Sequence, residues 1–349
     1  MTDRIEKTVE EGQRITTAHG AGTERMRELL SSSVVPRFGT GELAGGVGLE
    51  ALDDGSVLPA GEHSLVVTTD THVVDPPFFP GGDIGRVAVA GTVNDLAAMG
   101  TTEPVTLTCG LVVEAGTPVT DIERVLDSMA ETASTAGVPI TTGDTKVLPS
   151  GDLDGIVVNT TGVGRIEHGS QLTVGGLSAG DRILLTGPVG DHGVALLAER
   201  ESFGFDADLE SDAAPVNDLV AAAMSTGTVT AATDPTRGGL ATALSEFAEH
   251  SDVGIRLEER TVPIDPATET VADVLGLDPI RIACEGRMVL GVEAADAEAV
   301  LSAVRSAGAD GAELIGEAVS EHAGRVVVDT GIGERYLTEP SGQPLPRIC

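Results

Sequence analysis

β-Branched runs and apolar stretches of helical length take turns along almost the whole chain, and few architectures accept that alternation. "SLVVTTD" is strand-like and ends on a carboxylate, and "DIGRVAVAGTVNDLAAMG" reads as a helix opening on Asp83 and stopping at Gly100. "EPVTLTCGLVV" is a strand, "VTDIERVLDSMAETASTAG" a helix, "VPITTGDTK" a short strand running into a loop, and "DGIVVNTTGVGRI" a closing strand. The second half repeats the exchange, from the strand "DRILLTG" through the helix "RGGLATALSEFAEH" to the strands "GRMVLGV", "AELIGEA" and "GRVVVDT". At 349 residues the chain exceeds one ordinary core, so the pattern predicts two mixed domains, α/β and then α+β. The expected bounds are a lead-in with a short helix capped by Thr23 (1–35), a first domain (36–170), a second (171–333) and a flexible tail (334–349). The tail, "TEPSGQPLPRIC" at its end, carries three prolines, and its twelve residues reach about 40 Å when stretched.

Charge removes several functions from consideration. With 55 acidic residues against 21 basic, the formal charge is −34, which repels nucleic acid and anionic membranes. The acids are spread along the chain, as in a solvated surface adapted to salt rather than a binding arm. No membrane-length apolar stretch or signal peptide is recognisable, which points to a cytoplasmic protein. Three scattered cysteines, Cys109, Cys284 and Cys349, suit a reducing compartment and form neither a disulfide framework nor a thiolate zinc site.

The chain lacks GxxxxGK[ST], and no GxGxxG sits between a strand and a helix. It has instead carboxylates at strand ends and turns: Asp70, Asp83, Asp95, Asp144 and Asp234. Each taken alone is better read as a cap or a turn former. Context favours more. "TTGDTK" sets Asp144 beside Lys146, one of only two lysines, and a compact ammonium that contacts phosphate or carbonyl, or moves a proton, is hard to replace with arginine. "DPTRGGLA" puts Asp234 and Arg237 before Gly238 at a helix N-terminus suited to an anion. Carboxylates converging on one cleft would need a hard cation, and Mg²⁺ bridging to phosphate is the natural occupant, giving an ATP·Mg site without a P-loop. Glu285 in "CEGR" is a base, a nucleotide contact or a surface acid. His19, His72 and His192 are too scattered for a metal set and read as structural. Cys349 ends the chain, where the α-carboxylate raises its thiol pKa, so it is either idle or a carrier of a group.

Together "GDIGRVAVAGTVNDLAAMG", "TTGDTK", "GDHG", "DPTRGGLATAL", "CEGR" and the terminal "LPRIC" resemble the HypE family of carbamoyl dehydratases, within the PurM-like ATP-binding superfamily. The resemblance runs from about residue 15 to the last residue. It implies a PurM-like two-domain fold, with the N-terminal α/β domain pairing strands in a homodimer and the C-terminal domain α+β. It also implies a reaction. A HypF-like carbamoyltransferase loads a carboxamide onto Cys349, ATP drives its dehydration to a thiocyanate, and a HypC–HypD-like iron scaffold accepts the cyano group for a [NiFe] hydrogenase. By the family pattern Asp70, Asp83, Asp95 and Asp234 hold Mg·ATP, while Asn94, Gly143, Asp144, Arg237 and Gly238 contact the nucleotide. Lys146 and Glu285 are the candidates for activating and deprotonating the carboxamide, with the base left open between them. "CEGR" stands where the family has "NEGK", which puts any hydrogen bond from the side chain at 284 in question. The alternatives are a selenophosphate or aminoimidazole-ribonucleotide synthetase of the same superfamily, or a non-catalytic acidic scaffold.

Overall fold

The computed structural model describes residues 14–20, 24–38, 45–201, 208–338 and 347–349. Lys7, the Thr23 cap and residues 339–346 of the expected tail lie outside the described residues. Two short helices, α1 (Glu24–Leu29) and α2 (Val35–Phe38), lead into a five-stranded sheet. Its strands are β1 (Ser56–Ala60), β2 (His63–His72), β5 (Thr106–Glu114), β6 (Ile140–Leu148) and β7 (Ile156–Glu167), ordered β1-β2-β7-β5-β6. All neighbours are antiparallel except the edge pair β5–β6. A two-residue pair, β3 (Phe78–Phe79) with β4 (Gly82–Asp83), feeds helix α3 (Ile84–Ala98), and α4 (Val119–Thr135) packs beside it.

Helix α3 is apolar all round, and a helix of that kind must be enclosed. Thirteen of its fifteen residues are buried, because β2 and β7 cover one side and the second domain reaches the other. Val87, Val89, Val93 and Leu96 are fully buried, each contributing about 1.5–3 kcal/mol through lost apolar exposure. Asp83 starts the helix as its N-cap, accepting from the Gly85 and Arg86 amides at 2.8 and 3.0 Å.

The second sheet contains β8 (Arg182–Leu185), β9 (Val229–Thr233), β10 (Gly254–Glu258), β11 (Val289–Val292), β12 (Glu313–Val319), β13 (Arg325–Asp329) and β14 (Glu334–Leu337). Its order is β14-β13-β10-β12-β8-β11-β9, and only β10–β13 is parallel. Helices α5 (Asp191–Arg200), α6 (Asn217–Thr226), α7 (Gly239–Ser251), α8 (Pro266–Leu275) and α9 (Ala297–Ser306) complete it. Two asparagines fasten it to the first domain. Asn94 on α3 donates to Ala214 O and Glu285 O and accepts from Val216 N, and Asn217 donates to Thr102 O and Ala136 O.

Two sequence expectations need correction here. "TTGDTK" is not a loop but the middle of β6, an edge strand whose hydrogen bonds to β5 hold it extended. Residues 334–337 are not free tail, since β14 pairs with β13. Among the described residues no helix is long and apolar enough to cross a membrane.

Candidate active site

Where β2, α3, the β9–α7 turn and the "CEGR" segment meet, they enclose a cavity of about 250 Å³. The chain's own C-terminus enters it. The Val73 amide donates to Cys349 O at 3.2 Å, and the Asp75 amide and Arg200 Nη2 donate to Arg347 O at 3.1 and 2.9 Å. His192 Nε2 donates to Ile348 O at 2.7 Å, so its Nδ1 accepts from Ser211 Oγ at 2.8 Å. Ile348 is buried against the first domain's core. The expectation of a tail flexible to its last residue is therefore corrected: Cys349 is half-buried and docked.

Arg237 Nη1 donates to Cys349 Sγ at 3.6 Å. Burial pushes the thiol well above its ordinary range, with Glu285, Asp70 and Asp234 adding to the shift and Arg237 opposing it. Burial therefore favours the thiol over the thiolate. Arg237 in turn holds its proton more firmly than a free arginine, chiefly because of Cys349 and against its own burial. The expected nucleotide contact is thus also a neighbour of the thiol. Gly238 beside it has φ +83°, and a Cβ there would collide with Thr242 Oγ1, so the turn that aims Arg237 requires glycine.

Carboxylates line the opposite wall. Asp54, Asp95 and Asp234 each bring an oxygen within 4.8 Å of the others. Burial raises Asp54 and Asp95 well above the carboxylate range, with neighbouring acids adding to it, and raises Asp234 to about 7. Thr68 Oγ1 lies within hydrogen-bond distance of Asp95 Oδ2 (2.7 Å) and Asp54 O (2.8 Å), tying the β1 approach to β2 and α3. Three oxygen donors that repel one another unless protonated or bridged suit a hard divalent cation. Asp70 lines the same cavity.

Glu285 is 2% exposed, and burial raises its carboxyl well above the ordinary value. Its backbone is clamped: Asp212 accepts from the Glu285 and Gly286 amides, and Asn94 donates to Glu285 O. Arg287 anchors the segment through Pro188 O, Asp191 and Asp212. Cys284 Sγ accepts from the Gly190 amide at 3.3 Å, so position 284 keeps a hydrogen bond.

Of the residues named from sequence, Asp70, Asp95, Asp234, Arg237, Glu285 and Cys349 line the cavity. Six do not. Asp83, expected at the metal, has its carboxylate engaged as a helix cap. Asn94, expected at the nucleotide, is buried with both amide atoms bonded to backbone. Gly238 shapes the turn rather than the wall. Gly143, Asp144 and Lys146 lie exposed on β6, with Lys146 Nζ paired to Asp144, away from the cavity of their own chain. Sequence reasoning missed Asp53, Asp54, His72 and Gly91, all of which line it. Strand alternation held the clue for His72, since 68, 70 and 72 share a face of β2.

Fold and site define a two-domain protein of the AIR synthase related type whose own terminal thiol enters the acidic cleft. Residues 52–166 match the family "AIR synthase related protein, N-terminal domain" and residues 178–329 match "AIR synthase related protein, C-terminal domain". The chain is 43% identical to carbamoyl dehydratase HypE of Cupriavidus necator, over 96% of this chain and 95% of that protein. It is 41% identical to the same enzyme of Escherichia coli, over 96% and 99%. Among solved structures, a HypE–HypF complex superposes with TM-score 0.82 at 35% identity, covering 91% of this chain and 100% of that one. HypE in complex with ATP gives 0.79 at 37%, covering 96% and 100%. The chain belongs to the carbamoyl dehydratase HypE family.

Proposed function

We propose that this chain uses ATP to dehydrate a carboxamide carried on its own Cys349 to a thiocyanate, the source of a cyano ligand for the iron of a [NiFe] hydrogenase. The observation that carries the reading is Cys349 Sγ inside the acidic cavity, against Arg237 and beside Glu285. A buried thiol in that position is a poor nucleophile, so the sulfur takes up its group outside the cavity and docks here as its carrier. A HypF-like carbamoyltransferase loads it, and a HypC–HypD-like scaffold takes the product.

An amide oxygen leaves poorly. In the proposed reaction the carboxamide oxygen takes the terminal phosphoryl group of ATP: a new O–P bond forms, the bond to ADP breaks, and one N–H proton departs. The C–O bond then breaks, phosphate leaves, and the second N–H proton departs as C≡N forms. Glu285 lines the cavity and, once ionised, accepts a proton from nitrogen, burial making that carboxylate the stronger base. Arg237 lies against the sulfur, where its guanidinium holds the carrier atom in the cavity. Asp54, Asp95 and Asp234, with Asp70 beside them, would hold Mg²⁺, which when bound neutralises triphosphate charge. A second cavity of about 990 Å³ shares Asp53 with the first and offers room for the nucleoside along Val47 and Val174.

Lys146 gains a catalytic part only from a second copy. Strand β6 is an edge with residues 141–147 exposed on both faces, including Val147, and such an edge invites pairing. A homodimer joined through this domain is therefore part of the proposal. A cytoplasmic location suits its three free cysteines.

The test is the mass of the C-terminal peptide after incubation with the donor enzyme, carbamoyl phosphate, ATP and Mg²⁺ at high salt. A carboxamide on Cys349 that loses one water only when ATP is present is the expected result; a loaded carboxamide indifferent to ATP would defeat the reading. The same assay on mixed Lys146→Ala and Glu285→Gln chains checks the dimer. Activity returning on mixing is expected, and two inactive chains that stay inactive together would rule out a Lys146 that acts in its partner's site.

A further inference from the structure

Even-numbered residues of β2 face α3, and the last of them, His72, reaches the cavity. It is 3% exposed, and neither Nδ1 nor Nε2 has a hydrogen-bond partner among the described residues. Two unpartnered ring nitrogens at one buried position are uncommon, because interior polar atoms are almost always paired. The residue next to it, Val73, holds the Cys349 backbone oxygen at 3.2 Å, so the carrier residue is tied beside the imidazole. Across from it, α3 has Gly91. A Cβ there would lie 3.2 Å from His72 Cε1, 3.8 Å from Asp70 Oδ2 and 3.9 Å from Glu285 Oε2. Three polar side chains thus converge on one point, and Glu285 Oε1 is unpartnered as well.

A bare thiol is a weak hydrogen-bonding group, whereas a carboxamide on that sulfur adds a strong acceptor and two donors. A neutral imidazole has one acceptor nitrogen to offer the NH₂ group. We infer that His72 orients the carboxamide on Cys349: its unprotonated ring nitrogen accepts an N–H bond, which turns the carboxamide oxygen toward the Asp54–Asp95–Asp234 wall. The inference rests on the dehydratase reading and adds to it the residue that recognises the carried group. It requires no change in the charge of the ring. It also accounts for Gly91, since any side chain there would crowd the imidazole and Glu285 together.

The test compares wild type, His72→Phe and His72→Gln in full-length protein, following the C-terminal peptide by mass through loading and dehydration separately. Loading by the donor enzyme reports that each variant folds and presents its tail. His72→Phe is expected to load at the wild-type rate and then dehydrate about 100-fold more slowly, as misaligned reactants do. His72→Gln, which keeps an acceptor, is expected to recover most of that loss. Dehydration by His72→Phe at the wild-type rate overturns the inference, and so does a His72→Gln variant as slow as His72→Phe, which would mark a packing role. Wild type that loads but never dehydrates with ATP would instead bring down the dehydratase reading, and this inference with it.

Discussion

An aspartate can cap a helix or charge a site, and Asp83 and Asp95, at the start of α3 and near its end, divide those tasks. The Asp83 carboxylate accepts two amides of the first turn, so Asp83→Ala should lower stability by about 1 kcal/mol while leaving dehydration by the folded protein near wild type. Asp95 is raised by burial and by Asp70, Asp234 and Asp54. A carboxyl raised in the folded state contributes stability at low pH that is lost as pH climbs, so at pH 8 without divalent cations it is a liability. Asp95→Asn should then unfold at or above the wild-type midpoint, gain less from added Mg²⁺, and lose dehydration. Thermal melts with and without Mg²⁺ check this, and an Asp95→Asn melt well below wild type in the absence of cation would contradict it. In sequence the two residues look alike, and the capping geometry that separates them becomes visible only once α3 has a starting turn. Asp54 was hidden for a different reason. "LDDGS" reads as a turn, and only the β1–β2 hairpin, with Thr68 bridging to Asp95, carries that turn to α3.

At the scale of elements, long periodic segments were legible and short ones were not. β2, β5, β7, α3, α4 and α7 follow from β-branched alternation or apolar helical period. β9, β10, β14 and α8 were missed because four to ten residues between turns carry too little pattern, and β6 was cut short because threonines and a glycine mimic a loop. The docking of the terminus was also illegible, since its partners lie on β2's exit and α5, far away in sequence. That docking depends on a histidine. Burial lowers the His192 pKa below 6.5, with the bond to Ile348 O opposing the shift. A depressed folded pKa gives stability that is full above the unfolded value and is lost as pH falls through the folded one. Protonation would also end the bond accepted from Ser211. The tail should therefore loosen as pH falls below 6.5. Maleimide labelling of Cys349, taken relative to a free LPRIC peptide at each pH, should rise several-fold, since a charged imidazole is held less well in its buried site than in water. In His192→Gln the relative labelling should be higher throughout and flat with pH. A wild-type profile as flat as the variant's would separate the histidine from tail docking. The same looseness bears on function, because a thiol must leave its cavity to be loaded by a second enzyme.

For the whole molecule the governing quantity is charge. With 34 more acids than bases, most carboxylates have no basic partner of their own, and exposed pairs such as Arg256–Glu334, Arg305–Glu313 and Arg335–Glu259 each contribute little. Repulsion summed over such a surface opposes the compact state, and the unfolded chain relieves it by expanding. Salt weakens that repulsion, because the screening length falls from about 10 Å at 0.1 M to about 3 Å at 1 M. The two sheets and α3 rest on apolar contacts that this screening does not weaken. Stability should thus rise with ionic strength from a low starting point. Differential scanning calorimetry in 0.1, 0.5 and 1 M KCl should show the midpoint climbing most steeply over the first interval, where the screening length changes most. Choline chloride at equal ionic strength should reproduce the rise if screening is its cause. A midpoint that moves with KCl but not with choline chloride would assign it to specific cation binding at the carboxylates, and a midpoint constant in both would refute the claim that surface charge limits the stability of this fold.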